Sequence, residues 1–383
     1  MAKNQFFLLK RINFFPLFIS QFTGAFHDNL FKNAMTVLIL FNAGTSYVMD
    51  PKLLVTLAAG VFIIPFVLFS AFGGQLSEKY DKARVIQALK AAELMIAVIG
   101  CISILFDTIA LSFLTLFLLG THSALFGPSK YSILPQHLEQ DDLISGNALL
   151  NGGTFLSILL GTVIGVSVVS IPTYGKVIIS IIVMLCAITG WLFSRLIPST
   201  PRNDAVKLDI NIVKQTKASI LFIFTRPQNV VLAVLGVSWF YFLGGMFLSQ
   251  FSNFTKETLN ANEHVLTLFL TVFSVGICIG GLLNNTLLKG RVEATYVPLA
   301  ALGLSLFSLD LYWASSPFEL LRQHRLVGIG TFIQTFQNWR ILFDIFMIAF
   351  CGGLFVVPLN AFIQHNTNGI LNNGMFFDCF MLV

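Results

Sequence analysis

The chain has 383 residues, of which 56% are hydrophobic and only 11% are charged. A soluble domain carries about 25% charged residues, so this composition excludes an ordinary soluble protein. The net charge of +5 requires no nucleic-acid partner, because basic loops that face anionic membrane lipids account for it.

Ten apolar runs follow one another along the chain, each close to the length of about 20 residues that an α-helix needs to cross a bilayer. None alternates like a transmembrane β-strand, which spans the membrane in about ten residues. We therefore predict an all-α polytopic membrane protein whose spans cover residues 14–41, 53–72, 88–106, 109–127, 147–171, 175–197, 228–249, 264–288, 297–315 and 341–363.

Lys and Arg are distributed unequally over the gaps between these spans. The N-terminus and the even-numbered gaps hold sixteen of them, counting Lys90, whereas the odd-numbered gaps hold six. Because basic residues accumulate on the cytoplasmic side, we predict a multi-pass protein with a cytoplasmic N-terminus. Glu93, Asp310 and Asp344 lie near predicted span ends, where we expect interfacial water to solvate them.

An internal repeat relates the two halves of the chain. The segment GGQLSEKYDKARV (73–85) shares six of thirteen positions with GGLLNNTLLKGRV (280–292), and two weaker pairs occur in the same order. Each pair links a span to the sixth span after it, so the two halves have the same orientation. Two parallel six-helix repeats are the architecture of major facilitator transporters.

The repeat also predicts the domain organisation. We expect an N-terminal six-helix half at 1–197, a cytoplasmic central loop at 198–227 and a C-terminal half at 228–383. On this mapping Val383 corresponds to a position near Thr162, midway through the fifth span. We therefore expect the second repeat to be incomplete, with ten full spans in the chain and a partial eleventh.

The segment 73–85 resembles the loop signature of the major facilitator superfamily, in which a tight glycine turn presents an acid to neighbouring bases. Such a charge cluster can act as a conformational latch between the halves, and the alternative is a solvated cytoplasmic loop that only follows the charge rule. We predict latch roles for Gly74, Glu78, Lys79, Lys82 and Arg84 and, in the repeated segment, for Lys289 and Arg291.

A polar stripe interrupts the first span; its members are Asp28, Asn29, Lys32 and Asn33. A charge at the centre of the bilayer costs about 3 kcal/mol or more, so it indicates a functional role. Asp28 and Lys32 are four residues apart and therefore share one helix face. We predict that the stripe lines a central cavity and contacts the substrate or a gate, and the alternative is an ion pair that only fixes packing.

Lys130 follows Gly127 and Pro128, where we expect the fourth span to end. Together with Tyr131 it lies at the predicted inner interface, where a cation and an aromatic ring can meet a lipid phosphate. We predict a substrate contact for Lys130, with a snorkelling anchor as the alternative.

The sequence indicates no catalytic, metal or cofactor residues. Its five cysteines lie in apolar runs without a C-x-x-C pair, which favours apolar fillers over metal ligands. His137 and Asp142 form an H-x-x-x-x-D pattern used by glycerolipid acyltransferases, but chance produces it in about one such chain in six. An acyltransferase and an inert remnant therefore remain the hypotheses that compete with a transporter.

Four blocks, QFTGAFHDNLFKNA, LFGPSKYSILPQHL, LLKGRVEATYVPLAALG and GGLFVVPLNAFIQ, resemble the lysophospholipid transporter branch of the major facilitator superfamily. The resemblance implies a flippase of the bacterial inner membrane that moves lysophospholipids to the cytoplasmic leaflet. Lys32 and Asp28 would meet the headgroup phosphate and ammonium, membrane lipids would surround the protein, and a separate acyltransferase/acyl-carrier-protein synthetase would re-acylate the lipid. The alternatives are a major facilitator carrier of another small amphipathic solute and an inactive truncated remnant.

Overall fold

Ten long helices, one for each predicted span, contain most of the residues that are described by the structure, which is a computed structural model. It describes residues 5–41, 49–169, 171–206, 224–288, 292–316 and 327–367, and the single positions 208, 209, 211, 214, 217 and 221. The bounds are α1 Phe15–Phe41, α2 Pro51–Lys79, α3 Lys82–Leu105, α4 Ile109–Ser132, α5 Leu143–Val169, α6 Gly175–Ser194, α7 Gln228–Asn253, α8 Glu263–Leu288, α9 Val297–Ser315 and α10 Phe336–Thr367.

Short helical segments connect some of these helices. They are Gln5–Lys10, Leu134–His137, Gln140–Asp142, Phe254–Thr258 and Ile329–Gln334. In the described ranges β-pairing is limited to an isolated bridge between Ala261 and Val327. The prediction of an all-α chain is confirmed.

Nine of the described helices, α2 to α10, are long and apolar enough to cross a membrane. Helix α1 has 27 residues, which is also sufficient, but its polar stripe lowers its mean hydropathy and it is not among the nine. Pro65, Pro128 and Pro358 lie inside helices, as transmembrane helices tolerate when neighbouring groups satisfy the freed backbone. The prediction of a polytopic membrane protein is confirmed.

The junction between α2 and α3 differs from the prediction. We expected a glycine turn directly after residue 72, but Gly74 lies inside α2, which continues to Lys79. The reversal is made instead at Asp81, whose carboxylate accepts hydrogen bonds from the first turn of α3 at 3.0 Å and from the Thr200 N–H at 2.8 Å. An N-cap carboxylate satisfies backbone donors that the start of a helix leaves free, so the cap defines the turn.

The described chain divides into two compact units. The first consists mainly of residues 6–140 and 157–234, and the second mainly of residues 141–156 and 235–363. The division falls within α5, between residues 156 and 157. The halves expected from the repeat stay a prediction.

The core of the first unit is built from α1, α3, α4 and α6. Its fully buried side chains include Leu30, Phe31, Ala34, Ala97, Leu116, Leu119, Ile179 and Val183. Helix α5 packs closely against α1 at Gly161 and Gly165. A Cβ atom added at Gly161 would lie only 2.6 Å from the Phe26 carbonyl oxygen, and one at Gly165 only 2.6 Å from the Leu30 carbonyl oxygen, so the contact requires glycine. This close approach fixes the position of α1, which carries the polar stripe.

In the second unit, α8 and α10 are joined by a side-chain amide. Asn284 donates a hydrogen bond to the Gly353 carbonyl oxygen at 3.1 Å. On the same helix α10, Arg340 donates to the carboxylate of Asp310 on α9, and Asp344 is buried with 1% of its surface exposed. The expectation that interfacial water solvates Asp344 is therefore wrong.

Candidate functional site

The four side chains of the polar stripe on α1 do not share one partner. Asn29 donates to the Ala25 carbonyl at 2.9 Å, and Asn33 donates to the Asn29 carbonyl at 2.7 Å and to the Thr162 hydroxyl at 3.1 Å. Both amides are thus engaged with backbone or with α5. A hydrogen bond to the preceding turn is the usual way for a polar side chain to be satisfied within an apolar helix.

The ion pair between Asp28 and Lys32, which the sequence analysis gave as the alternative to a cavity-lining role, is not formed between these two described side chains. The Lys32 ammonium lies 5.5 Å from the centroid of the Phe62 ring on α2. Asp28 instead accepts a hydrogen bond from the Ser123 hydroxyl on α4 at 2.6 Å. Spacing of four residues allows a pair on one face, but here the two side chains extend to different neighbouring helices.

Asp28 belongs to a set of charged and polar side chains that we call the buried charge cluster: His27 and Asp28 of α1, Lys90 and Glu93 of α3, and His122 and Ser123 of α4. Its five titratable members are each no more than 6% exposed. The Lys90 ammonium donates to Glu93 Oε2 at 2.7 Å and lies 5.0 Å from the Phe126 ring centroid. The cluster therefore holds an ion pair in the apolar interior of the first unit.

Three atoms of the cluster converge on one another. His27 Nδ1 lies 3.5 Å from Asp28 Oδ1 and 3.6 Å from Glu93 Oε1, and none of these three atoms has a hydrogen-bond partner within the described ranges. The second oxygen of each carboxylate is engaged, by Ser123 on Asp28 and by Lys90 on Glu93. Each acid thus keeps one donor-bound oxygen and turns its other oxygen toward the imidazole.

The cluster corrects two expectations of the sequence analysis. Glu93 is not solvated at a span end, and Lys90 is not in a cytoplasmic gap, because 1% and 0% of their surfaces are exposed. The apolar run begins at residue 88, but α3 begins at Lys82, which places Lys90 about 12 Å inside the helix. The i, i+3 spacing of a base and an acid in an apolar run was the signal that could have identified them.

Lys130 also lies inside a helix rather than after one. Helix α4 continues to Ser132 and includes Pro128, so the expected end of the fourth span at Gly127 and Pro128 is wrong. The Lys130 ammonium lies 4.6 Å from the Tyr131 ring centroid, and the side chain is half-buried. Its role as a substrate contact stays a prediction.

Comparison with known proteins identifies the family. The sequence profile of the Major Facilitator Superfamily matches residues 17–375. The chain belongs to this superfamily. The all-α superfamily fold predicted from the repeat is thereby confirmed, and the chain is a multi-pass membrane transporter.

The chain is similar in sequence to two curated transporters and in structure to a solved one. It is 25% identical over 367 residues to the lysophospholipid transporter LplT of Photorhabdus laumondii, with 93% of this chain and 81% of that protein covered. It is 24% identical over 361 residues to LplT of Serratia proteamaculans, with 93% and 80% covered. A solved proton:xylose symporter of the superfamily, XylE, aligns with a TM-score of 0.65 at 12% identity over 96% of this chain and 84% of that one, which shows the fold alone.

The superfamily signature segment is held by the stretch that follows α6. Lys82 N–H donates to the Thr200 hydroxyl at 2.8 Å, and Asn203 N–H donates to the Lys79 carbonyl at 3.1 Å. Arg84 lies 3.7 Å from the Asp81 carboxylate, and its side chain is exposed. These contacts connect the start of the predicted central loop to the α2–α3 junction.

The other latch candidates divide between described and undescribed positions. Glu78 and Gly74 are buried, whereas Lys289 and Arg291 lie outside the described residues. The partial eleventh span, expected after residue 367, also lies outside them. His137, half of the acyltransferase-like pattern, places its Nδ1 3.2 Å from the Asn13 carbonyl oxygen. The latch role of the signature segment stays a prediction.

Proposed function

We propose that this superfamily member is a flippase that moves lysophospholipids, such as lysophosphatidylethanolamine, across the bacterial inner membrane. The observation that carries the proposal is the ammonium of Lys32, which is half-buried near the middle of α1 and has no carboxylate at ion-pair distance in the part of the chain that the structure describes. The names of relatives that match 93% of the chain support the choice of a lysophospholipid.

The chemistry of Lys32 suits the headgroup. A lysophospholipid carries an anionic phosphate and one acyl chain, and a lysine in a low-dielectric site forms a strong charge-assisted hydrogen bond with phosphate oxygens. Among the described residues no carboxylate pairs with this ammonium, so a phosphate would not need to displace one. The adjacent Phe62 ring offers apolar surface for the start of the acyl chain.

We propose a gating role for Asp28 in place of the expected contact with the headgroup ammonium. Its carboxylate is 6% exposed and faces Ser123 and His27, so it is turned away from a solute. A carboxylate that couples α1 to α3 and α4 can respond to a movement of these helices. Asn29, Asn33 and Lys130 remain proposed substrate or gating residues.

The direction and partners of transport are part of the same proposal. The lipid would be delivered to the cytoplasmic leaflet, where a separate acyltransferase/acyl-carrier-protein synthetase would restore its second acyl chain. The bias of Lys and Arg toward the even-numbered gaps supports a cytoplasmic N-terminus. The resemblance of the four sequence blocks supports the re-acylation step.

The test measures movement of labelled lysophosphatidylethanolamine between leaflets of proteoliposomes that contain the full chain. We expect Lys32→Ala to lower the rate about tenfold or more, because a charge-assisted hydrogen bond contributes about 1.5–3 kcal/mol. Lys176→Ala is the matched control, since it removes a lysine of the same unit whose ion pair with Asp107 is about one-third exposed. The control should flip the lipid at the wild-type rate.

Two results would contradict this proposal. A wild-type rate in Lys32→Ala, at equal protein content, would remove Lys32 from the transport path. Absence of lysolipid movement in the wild-type protein, with transport of a soluble amphipathic solute in the same vesicles, would identify the carrier of another solute that the sequence left as an alternative.

A further inference from the structure

The converging atoms of the buried charge cluster suggest a ligand that the sequence did not indicate. One ligand atom from each of His27, Asp28 and Glu93 lies within 4.8 Å of the other two. All three residues are at least nine-tenths buried, and their facing atoms lack hydrogen-bond partners. Buried polar atoms are almost always satisfied, so three unpartnered atoms that face one another are suited to share a cation.

We infer that His27 Nδ1, Asp28 Oδ1 and Glu93 Oε1 form a binding site for a divalent first-row transition-metal ion. The proposal goes beyond the proposed lipid transport, and it does not depend on which solute is moved.

The separations of the ligand atoms favour a metal ion over an ammonium group. An ion held tetrahedrally at about 2.1 Å keeps its nitrogen and oxygen ligands about 3.4 Å apart, close to the 3.5 Å and 3.6 Å around His27 Nδ1. An ammonium that donates three hydrogen bonds of about 2.8 Å would hold its acceptors about 4.6 Å apart. The two distances from His27 Nδ1 are too short for that arrangement and too long for good hydrogen bonds, and the two carboxylate oxygens lie within 4.8 Å of each other.

The type of ligand selects the class of ion. Imidazole suits zinc, iron and related transition metals, whereas Ca²⁺ and Mg²⁺ prefer a larger set of oxygen ligands. One imidazole and two carboxylates therefore fit Mn²⁺, Fe²⁺ or Zn²⁺.

The surroundings of the site support its two carboxylate ligands, whereas the other ring nitrogen of His27, Nε2, has no hydrogen-bond partner among the described residues. Ligating carboxylates are commonly oriented by hydrogen bonds to their second oxygen. Here Ser123 donates to Asp28 Oδ2 at 2.6 Å and Lys90 donates to Glu93 Oε2 at 2.7 Å. Lys90 leaves Oε1 available and offsets one of the two negative charges, so we expect weaker affinity than two unpaired carboxylates would give.

The test uses the purified full chain in detergent, stripped with a chelator and titrated with MnCl₂ in the absence of lipid. We expect loss of the free Mn²⁺ electron paramagnetic resonance signal to saturate at one equivalent. Echo-modulation spectra of the bound ion should show coupling to one imidazole nitrogen. This spectrum is recorded on the wild-type protein, so it does not depend on whether a variant folds.

Variants then locate the ion. His27→Gln and Glu93→Gln should each weaken Mn²⁺ binding about tenfold or more, in line with the sensitivity of metal sites to their ligands and supporting residues. Asp107→Asn, which alters a carboxylate paired with Lys176, is the matched control and should bind one equivalent with unchanged affinity.

Three outcomes would overturn the inference. They are no saturable Mn²⁺ binding by the folded wild-type protein, binding without a nitrogen coupling, and equal binding by folded His27→Gln. The first outcome would indicate that the three atoms share only a proton. Since no lipid is present, a failure here leaves the proposed flippase activity untouched, and a failure of the lipid assay leaves this result untouched.

Discussion

The ion pair between Lys90 and Glu93 is the feature of single residues that most needs explanation, because it is buried in a unit built for hydrocarbon. Removing two charges from water costs several kcal/mol per ion, and only a close pair with further hydrogen bonds offsets the cost. Here the pair is formed at 2.7 Å, and Lys90 also faces the Phe126 ring. Such a pair is weak evidence for stability and stronger evidence for a specific role.

Breaking this pair should be costly. We expect Lys90→Ala to lower the free energy of unfolding by about 3–5 kcal/mol, because it leaves the Glu93 carboxylate buried without its partner. The double variant Lys90→Met with Glu93→Met should lose less than Lys90→Ala alone, since no unpaired charge remains. Denaturant unfolding of the purified protein in detergent measures both.

Lys176→Ala is the control for this prediction. Its ion pair with Asp107 is partly exposed, and such pairs contribute about 0–1 kcal/mol. If Lys90→Ala unfolded with the same free energy as the control, the Lys90–Glu93 pair would not be buried as described.

At this scale the sequence indicated only part of the cluster. Asp28 was identifiable because a carboxylate in the middle of a long apolar run is rare and costly. Glu93 was missed, because an apolar run does not show where its helix begins, although the spacing of three residues from Lys90 was an available signal. The buried charge cluster combines residues of α1, α3 and α4, and these residues come together only in the folded protein. Their spacing along the sequence does not predict this contact.

Among the helices, the contact of α5 with α1 is the one that positions the candidate site. In a membrane, close backbone approach through small residues replaces the hydrophobic effect as the source of helix association. Gly161 and Gly165 are one turn apart and both face carbonyl oxygens of α1. A side chain on this face must move α1 and the stripe that it carries.

A methyl group at this contact should therefore destabilise the protein. We expect Gly161→Ala to lower the free energy of unfolding by about 1–3 kcal/mol, the usual cost of overpacking. Gly60→Ala is the matched control, because a Cβ at Gly60 meets nothing within 4 Å and alanine favours a helix. A thermal melt in detergent compares them, and equal melting temperatures would show that α1 and α5 do not pack through Gly161.

The number and type of the helices could be predicted from the sequence, whereas their ends could not. Each of the ten apolar runs corresponds to a helix among the described residues, because a long apolar run favours a membrane-spanning helix. Helix α2 extends past its apolar run through Gly73 to Lys79, since a helix can leave the membrane without changing its backbone. Its end is determined by the Asp81 cap and by Thr200, a partner 119 residues away.

For the whole molecule, the distribution of charge determines which way the chain lies in the membrane. Basic residues cluster in alternate gaps, and short loops follow this bias closely. Lys176, in the first turn of α6 next to the gap between α5 and α6, is one end of a partly exposed ion pair. The stretch after α6 contains Arg202, whose side chain is also exposed. The two positions are predicted to lie on opposite sides of the membrane.

Labelling of single cysteines tests this orientation. In intact cells a membrane-impermeant thiol reagent reaches only the periplasmic side, so it should label Lys176→Cys and leave Arg202→Cys unlabelled. In permeabilised cells it should label both. The wild-type protein measures the background from native cysteines, all of which lie in apolar runs. The opposite labelling pattern would place the N-terminus outside the cytoplasm. It would also reverse the leaflet to which the proposed flippase presents Lys130.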